Sequence, residues 1–295
     1  MTGPLPLDDL NRRDDAGFVA ALAGVFEHAP WVAEAAARHR PFASLAALHA
    51  ALSAVVLQAP AERRLALVRG HPDLAGKAAR AGGLTDESTH EQASAGLDRL
   101  TDAEYDRFHA LNAAYHARFG FPFVVCVRRH GKESILRGFE RRLQHTPETE
   151  LATALDEVLR IGALRLDQKV TAADRLPLAG RLSTHVLDTH RGRPAAGVAV
   201  ELAELWGEER RIVARGVTNA DGRTEAPLIS GRPVPIARYE LRFAVGAYFA
   251  GLGVPTADPP FLDVVPIRFA VAEPEGHYHV PLLTTPWGYT TYRGS

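Results

Sequence analysis

Four groups of polar residues in this 295-residue chain have the types and spacing to do chemistry. His71 lies in Gly-His-Pro-Asp at 70–73, directly after a helical stretch. A helix C-terminus followed by a breaker accounts for Gly70 and Pro72. It leaves His71 unexplained, and imidazole suits proton transfer near neutrality. Ser88-Thr89-His90-Glu91-Gln92 reads as a capping box, with Ser88 bonding the N3 amide and Glu91 reaching back. A helix start of that kind also presents free amides to an anion. Arg165 stands on the apolar side of a helix. With Leu151 at about 0° and about 100° per residue, Val158 falls near 340°, Ile161 near 280° and Arg165 near 320°. A guanidinium there must snorkel out or meet a negative group, from the protein or from a ligand.

The last group is in the second half: His185, Arg223 after the Asp221-Gly222 turn, and His277 with His279. Two residues apart on a strand, His277 and His279 share a face. They form a zinc pair with His185 as third ligand, or a structural pair at a strand edge; zinc would want carboxylate or cysteine support nearby. The chain then runs through Trp287, Tyr289, Tyr292, Arg293 and Gly294 to Ser295. Chain ends normally fray into small polar residues, so aromatics here predict a tail built into a site, or an edge strand capped by rings.

The elements that must position these groups change period midway. Up to about residue 167, apolar residues recur at helical spacing. Phe18, Leu22, Val25 and Phe26 make one stripe; Leu45, Leu48, Leu52, Val55 and Val56 another; Leu65 and Val68 continue it. Pro30, Pro41, Pro60, Pro72, Pro122 and Pro147 punctuate these segments. From about Leu178 the period is two. Leu182, Thr184 and Val186 alternate with Ser183, His185 and Leu187, and Val198–Leu202, Leu241–Val245 and Val265–Phe269 repeat the pattern. Turn signals stand at 191–194, 219–222, 230–233 and 258–260. The expectation is a multidomain α plus β protein. An all-α domain over 1–167 and a linker over 168–177 precede a β-sandwich over 178–295.

Composition narrows the function. Apolar residues make up 46% of the chain and its net charge is −1, which gives no electrostatic case for nucleic acid or an anionic membrane. No apolar run reaches the roughly 18 residues of a membrane span. The N-terminus lacks the pattern of a secretory signal. The single cysteine, Cys126, excludes an intramolecular disulfide and fits a reducing compartment.

His-Pro-Asp-Leu-Ala at 71–75, Ser-x-x-Glu-Gln at 88–92, Phe-Pro-Phe-Val-Val-Cys at 121–126 and Leu-Arg-Leu at 164–166 resemble the 2-oxo-4-hydroxy-4-carboxy-5-ureidoimidazoline (OHCU) decarboxylases of urate degradation. The resemblance spans about residues 8–167 and implies a helical enzyme needing no metal or cofactor. It implies His71 and Glu91 as catalytic residues, His71 being the acid/base group. Pro72 is then a pocket wall, and Ser88 and Gln92 join Glu91 in holding the ring and ureido group. Main chain around Phe123, Val125 and Val127 binds the ligand edge, and Arg165 pairs with an anionic group.

Leu-Ser-Thr-His-Val-Leu-Asp at 182–188, Thr-Asn-Ala-Asp-Gly-Arg at 218–223, His-Tyr-His-Val-Pro-Leu-Leu at 277–283 and the final Tyr-Arg-Gly-Ser resemble the 5-hydroxyisourate hydrolases, the transthyretin-related enzymes. By that resemblance His185 and His279 are catalytic and flank the attacking water. Arg223 binds the anionic purine edge, and Tyr292 and Ser295 complete a pocket shared between subunits. The tail then reaches a neighbour, in a homo-oligomer that is a tetramer through the β domains. The competing reading is a non-catalytic small-molecule carrier of the transthyretin kind, which would not need His185, Arg223, His279 and the tail. A protein-interaction module in the helical half is a third reading, and the matched polar residues in four separate segments argue against it. Both resemblances on one chain, decarboxylase first, resemble the fused allantoin synthases, which hydrolyse 5-hydroxyisourate and decarboxylate OHCU to (S)-allantoin. No peroxisomal address is seen, so a bacterial cytoplasmic enzyme is expected. The small-molecule substrates are its only expected partners besides its own copies.

Overall fold

A computed structural model describes residues 3–76 and 85–294. The chain divides into one unit of residues 1–128 and 134–177 and a second of residues 129–133 and 178–295. The first is helical. Its described helices are α1 (Leu7–Arg12), α2 (Asp15–Ala21), α3 (Pro30–Ala37), α4 (Leu45–Gln58), α5 (Ala61–Arg69), α6 (Asp86–Ser94), α7 (Asp102–Phe119), α8 (Lys132–Arg142) and α9 (Pro147–Lys169). The ends of these helices follow local chemistry. The Asp14, Ser44 and Thr146 side chains accept from backbone amides at the starts of α2, α4 and α9. Proline opens α3 and α9, and Gly120, at φ 72°, closes α7.

The expected stripes become the core. Phe18, Leu45, Leu48, Leu52 and Val56 are essentially solvent-free, whereas Val55 is only partly covered. Burying each large side chain stabilises by roughly 1.5–3 kcal/mol. Phe108, Tyr115, Phe123 and Phe139 form an aromatic cluster, with Phe123 and Phe139 centroids 3.8 Å apart. A two-residue parallel pair joins the ends of this unit: β1 (Leu5–Pro6) lies beside β2 (Val170–Thr171). Among the described residues no single helix is long and apolar enough to cross a membrane.

The second unit is a sandwich. One sheet runs β11 (Gly288–Thr291), β10 (His277–Thr285), β3 (Gly180–Asp188), β4 (Arg193–Pro194), with β7 (Ile229–Arg232) also on β3. The other runs β6 (Glu209–Val217), β5 (Ala199–Trp206), β8 (Ala237–Ala244), β9 (Val264–Val271). Leu182, Val186, Leu202, Leu241, Phe243, Tyr278 and Leu282 fill the space between the sheets, on the positions that period two assigns to one face. The short segment 129–133 is tied to the sandwich. Arg129 makes a bidentate pair with Glu275 at 2.7 and 2.8 Å, and His130 bridges Ile236.

Two readings of the β half need correction. Val245 does not extend a strand; it opens a short helix, α10 (Val245–Gly251), where a Cβ on Gly246 would stand 2.9 Å from the Leu262 carbonyl. Small residues there let the turn lie close against the next segment. The turn signal at 230–233 falls mostly inside β7, whose register against β3 shifts between Gly180 and Leu182. Gly231, at φ 69°, makes a bulged edge rather than a reversal.

Candidate active sites

The helical unit gathers the predicted residues of four separate segments into one pocket. His71, Pro72, Leu74, Ser88, Glu91, Gln92, Phe123, Val125, Val127 and Arg165 all line it, with about 30 Å3 of free volume between them. His71 follows the C-cap of α5, and its Nδ1 lies 2.9 Å from the Leu67 carbonyl in the last turn of that helix. A carbonyl only accepts, so Nδ1 carries the proton and Nε2 keeps its lone pair. Burial lowers the His71 pKa, outweighing the Leu67 bond and the Glu27 charge, so the ring is held neutral.

The helix start behind this pocket is not the expected one. Thr85, not Ser88, caps α6, accepting from the Ser88 amide at 3.3 Å. Ser88 is thus the N3 residue rather than the cap, and the Ser88–Glu91 capping box does not form. The consequence is functional: both side chains are released from backbone capping and turn to Arg165. Glu91 accepts from Arg165 Nε and Nη2, both at 2.8 Å, and Ser88 Oγ lies 3.3 Å from Nη2.

Of the two outcomes its helical position left open, Arg165 takes the second: it is buried and has met carboxylates. Its Nη1 donates to Glu27 at 2.6 Å and to the Gly24 carbonyl at 3.0 Å. All five guanidinium donors therefore have acceptors. Burial opposes the charge, but Glu91 and Glu27 more than offset it and raise the Arg165 pKa above its ordinary value. Glu27 was missed by sequence reasoning. It sits in the irregular 22–29 connection, where no periodicity marks it, and is 4% exposed. Burial pushes its carboxyl up, yet Arg165 and Thr85 bring it below the ordinary value.

Gln92 is largely committed to the protein. Its Oε1 accepts from the Ala75 amide at 2.9 Å and its Nε2 donates to the Asp73 carbonyl at 3.4 Å. Asn112 donates to the Leu74 carbonyl and His116 pairs with Asp73, so the loop bearing His71 is clamped on three sides. The opposite wall, 122–126, has neither helix nor ladder partners. Side chains satisfy it instead: Arg142 Nη1 donates to the Val124 carbonyl at 2.8 Å, and Glu157 accepts from the Cys126 amide at 2.8 Å. Arg142 also stacks 4.4 Å from the Phe123 ring and is neutralised by Glu150, itself held by Tyr115 and His145.

In the β unit, β3 and β10 run parallel with Ser183 opposite His279 and His185 opposite Pro281. That register places His185, His277 and His279 on the outer face. The His185 and His279 rings lie 6.5 Å apart, and Ser183 Oγ is 3.0 Å from His279 Nδ1. Arg223 reaches the same place through a bridge to His185, set by a turn in which Gly222, at φ 74°, passes under the Val186 carbonyl. Arg223 is exposed and makes no ion pair among the described residues. Burial first, then the Arg223 charge, lowers the pKa of both His185 and His279. His185 Nε2 is buried without a hydrogen-bond partner among the described residues. No group of three or more His, Cys, Asp or Glu among the described residues is placed to hold a metal.

The tail forms an edge strand, one of its two expected arrangements. Its backbone is held by its own chain: β11 pairs with β10, and the Gly294 amide donates to the His279 carbonyl at 2.8 Å. A Cβ on Gly294 would stand 2.8 Å from the His279 ring, so only glycine fits. Trp287, Tyr289 and Tyr292 remain about half exposed. Ser295 lies outside the described residues.

Comparison with known proteins gives each unit its relatives. The OHCU decarboxylase family model matches residues 11–167, and the HIUase/Transthyretin family model matches residues 182–294. A 2-oxo-4-hydroxy-4-carboxy-5-ureidoimidazoline decarboxylase of Haloferax volcanii is 44% identical over 168 residues, covering 57% of this chain and 98% of the relative. A 5-hydroxyisourate hydrolase of Deinococcus radiodurans is 59% identical over 114 residues, 39% of this chain and 95% of the relative. One solved structure, an (S)-allantoin synthase, matches along 99% of this chain and 100% of its own, at 37% identity and a TM-score of 0.53. The chain therefore belongs to the OHCU decarboxylase family through its helical half and to the HIUase/transthyretin family through its β half.

Proposed function

We propose that this chain carries out two consecutive steps of urate degradation. Residues 178–295 hydrolyse 5-hydroxyisourate to OHCU, and residues 1–167, joined by 168–177, decarboxylate OHCU to (S)-allantoin. The observation that carries the reading is convergence: residues of four sequence segments matching the decarboxylases line one pocket, and those matching the hydrolases share one sheet face.

Decarboxylation breaks the bond to the carboxyl carbon and leaves its electron pair to spread into the ring. The neutral Nε2 of His71 takes the hydroxyl proton and delivers it to the neighbouring carbon from one face, which fixes the configuration. Glu91, Ser88 and Gln92 hold the ring and ureido group, main chain around Phe123, Val125 and Val127 holds its edge, Pro72 walls the pocket, and Arg165 binds the anionic group. Hydrolysis opens the six-membered ring's amide. Held neutral, His185 and His279 activate the water, while Arg223 binds the anionic purine edge and stabilises the developing oxyanion. Tyr292 and Ser295 complete the pocket. Neither step calls for a cofactor.

The protein works in the cytoplasm as a homo-oligomer, a tetramer through the β domains, for which the exposed Trp287, Tyr289 and Tyr292 supply an apolar surface. The experiment is to add freshly generated 5-hydroxyisourate and follow circular dichroism. A strong signal of one sign from (S)-allantoin is expected. Slow formation of racemic allantoin, at the rate without protein, overturns the reading.

A further inference from the structure

We infer that Glu27 is the fixed counter-ion of the decarboxylase pocket, a positioning residue that holds Arg165 while Glu91 yields its share of the guanidinium to the substrate's carboxylate. The inference rests on the decarboxylase reading of this pocket. Two carboxylates and one guanidinium, beside a neutral His71, leave the site with one excess negative charge. An anionic substrate would be a third carboxylate on one cation, in a space of about 30 Å3. All five donors of Arg165 are taken, so an arriving carboxylate must displace an acceptor. Like charges at that separation disfavour any arrangement in which all three crowd the guanidinium.

The two glutamates differ in how firmly they are held. The Glu27 side chain is 2% exposed, and its carboxylate receives Thr85 Oγ1 at 2.8 Å, Ser88 Oγ at 3.2 and 3.3 Å, and Arg165 Nη1 at 2.6 Å. The Glu91 side chain is 15% exposed, and among the described residues its carboxylate bonds only Arg165. Freeing Glu27 would strand a buried charge and also give up the Thr85 and Ser88 hydroxyl donors. Freeing Glu91 costs one bidentate contact, which the incoming carboxylate replaces in kind. Gly24, at φ 79°, turns the chain so that its own carbonyl joins Glu27 on Nη1. That half of the guanidinium stays anchored, and the edge formed by Nε and Nη2 is the exchangeable one. Glu91 then lies free beside the ring it has admitted.

The test is steady-state decarboxylation of supplied OHCU by the full chain, with the helical far-ultraviolet circular dichroism signal and its thermal melt as the folding control. Glu27→Gln makes Glu91 the sole counter-ion and locks it on Arg165, so KM rises about tenfold or more with a smaller change in kcat. Glu91→Gln removes the displaced group together with one hold on the ring, so KM rises clearly less than in Glu27→Gln while kcat drops. Thr85→Val, which loosens Glu27 without removing charge or a substrate contact, raises KM in the direction of Glu27→Gln. Unchanged KM in Glu27→Gln, or an equal rise in Glu91→Gln, overturns the inference while an active parent enzyme leaves the decarboxylase reading standing. A parent without decarboxylation defeats the reading itself.

Discussion

The two candidate sites solve the same problem, binding an anionic ring, in opposite ways. The helical pocket buries its cation and satisfies it with two carboxylates, so its charges are already spent on each other. The β site keeps its cation exposed and, among the described residues, not ion-paired, and that cation works on the histidines through space. A buried charge must be paired to exist, and its pairing has to be undone for ligand. An exposed charge costs little to keep ready, but water screens it. The first arrangement spends stability for orientation; the second relies on the histidines' burial.

Arginine substitution separates the two most sharply. Arg165→Met strands Glu27 in the interior and should cost about 3–5 kcal/mol of stability together with decarboxylation. Arg223→Gln should leave the melting temperature unchanged and weaken only hydrolysis, leaving a measurable residue. Thermal melts of both variants decide it; equal Tm values would erase the contrast. His71→Ala should slow decarboxylation by about 10²–10⁴-fold while 5-hydroxyisourate disappears normally and OHCU accumulates. Loss of both activities in a folded variant would sink the division of labour. Deleting Tyr292–Ser295 should abolish hydrolysis and leave decarboxylation of supplied OHCU nearly unchanged, which separate assays would show. A deletion variant with full hydrolysis removes the tail from the site.

The pH dependence is a finer probe. His185 and His279 have pKa values below the ordinary 6.5, so both remain neutral as pH falls through that value. The acid limb of hydrolysis should accordingly lie below 6.5. Removing the Arg223 charge takes away a lowering influence, so in Arg223→Gln the residual activity should fall off at higher pH than in the parent. A limb that stays in place shows that burial alone sets these values. Smallest of all is the effect of exhaustive chelation, for which both activities should persist. Hydrolysis lost with chelator and restored by zinc would instead favour His185, His277 and His279 as ligands.

Legibility followed periodicity. The change from helical to alternating spacing near residue 178 separated a helical half from a β half, and the angular position of Arg165 marked it as a cation that must either snorkel out or meet a negative group. Glu27 was invisible because it lies in a connection whose conformation depends on Gly24 and His28 at positive φ, not on any repeat. The α6 cap was misread for a physical reason. Ser-x-x-Glu and Thr-x-x-Ser overlap in the same stretch, and the acidic Asp86 and Glu87 complete the earlier register. The tail's aromatics left a built-in site and an edge strand both open, and the β10–β11 hairpin orders its backbone as the edge strand with the rings outside. Gln92 could be placed at the pocket from its motif, but its engagement with the Asp73–Ala75 loop depended on folding.

The pairing of Leu5 with Val170 and Pro6 with Thr171 brings the entry and exit of the helical unit side by side. Such a unit is a cassette. It could be spliced into a surface turn of an unrelated host across a gap of one strand spacing, about 4.8 Å, without stretching either end. For the same reason a new chain start could be cut into one of its exposed connections, with a short link sewn across the old ends. Pulled from those ends, it would give way first at two residue pairs loaded in shear, before any helix felt the force.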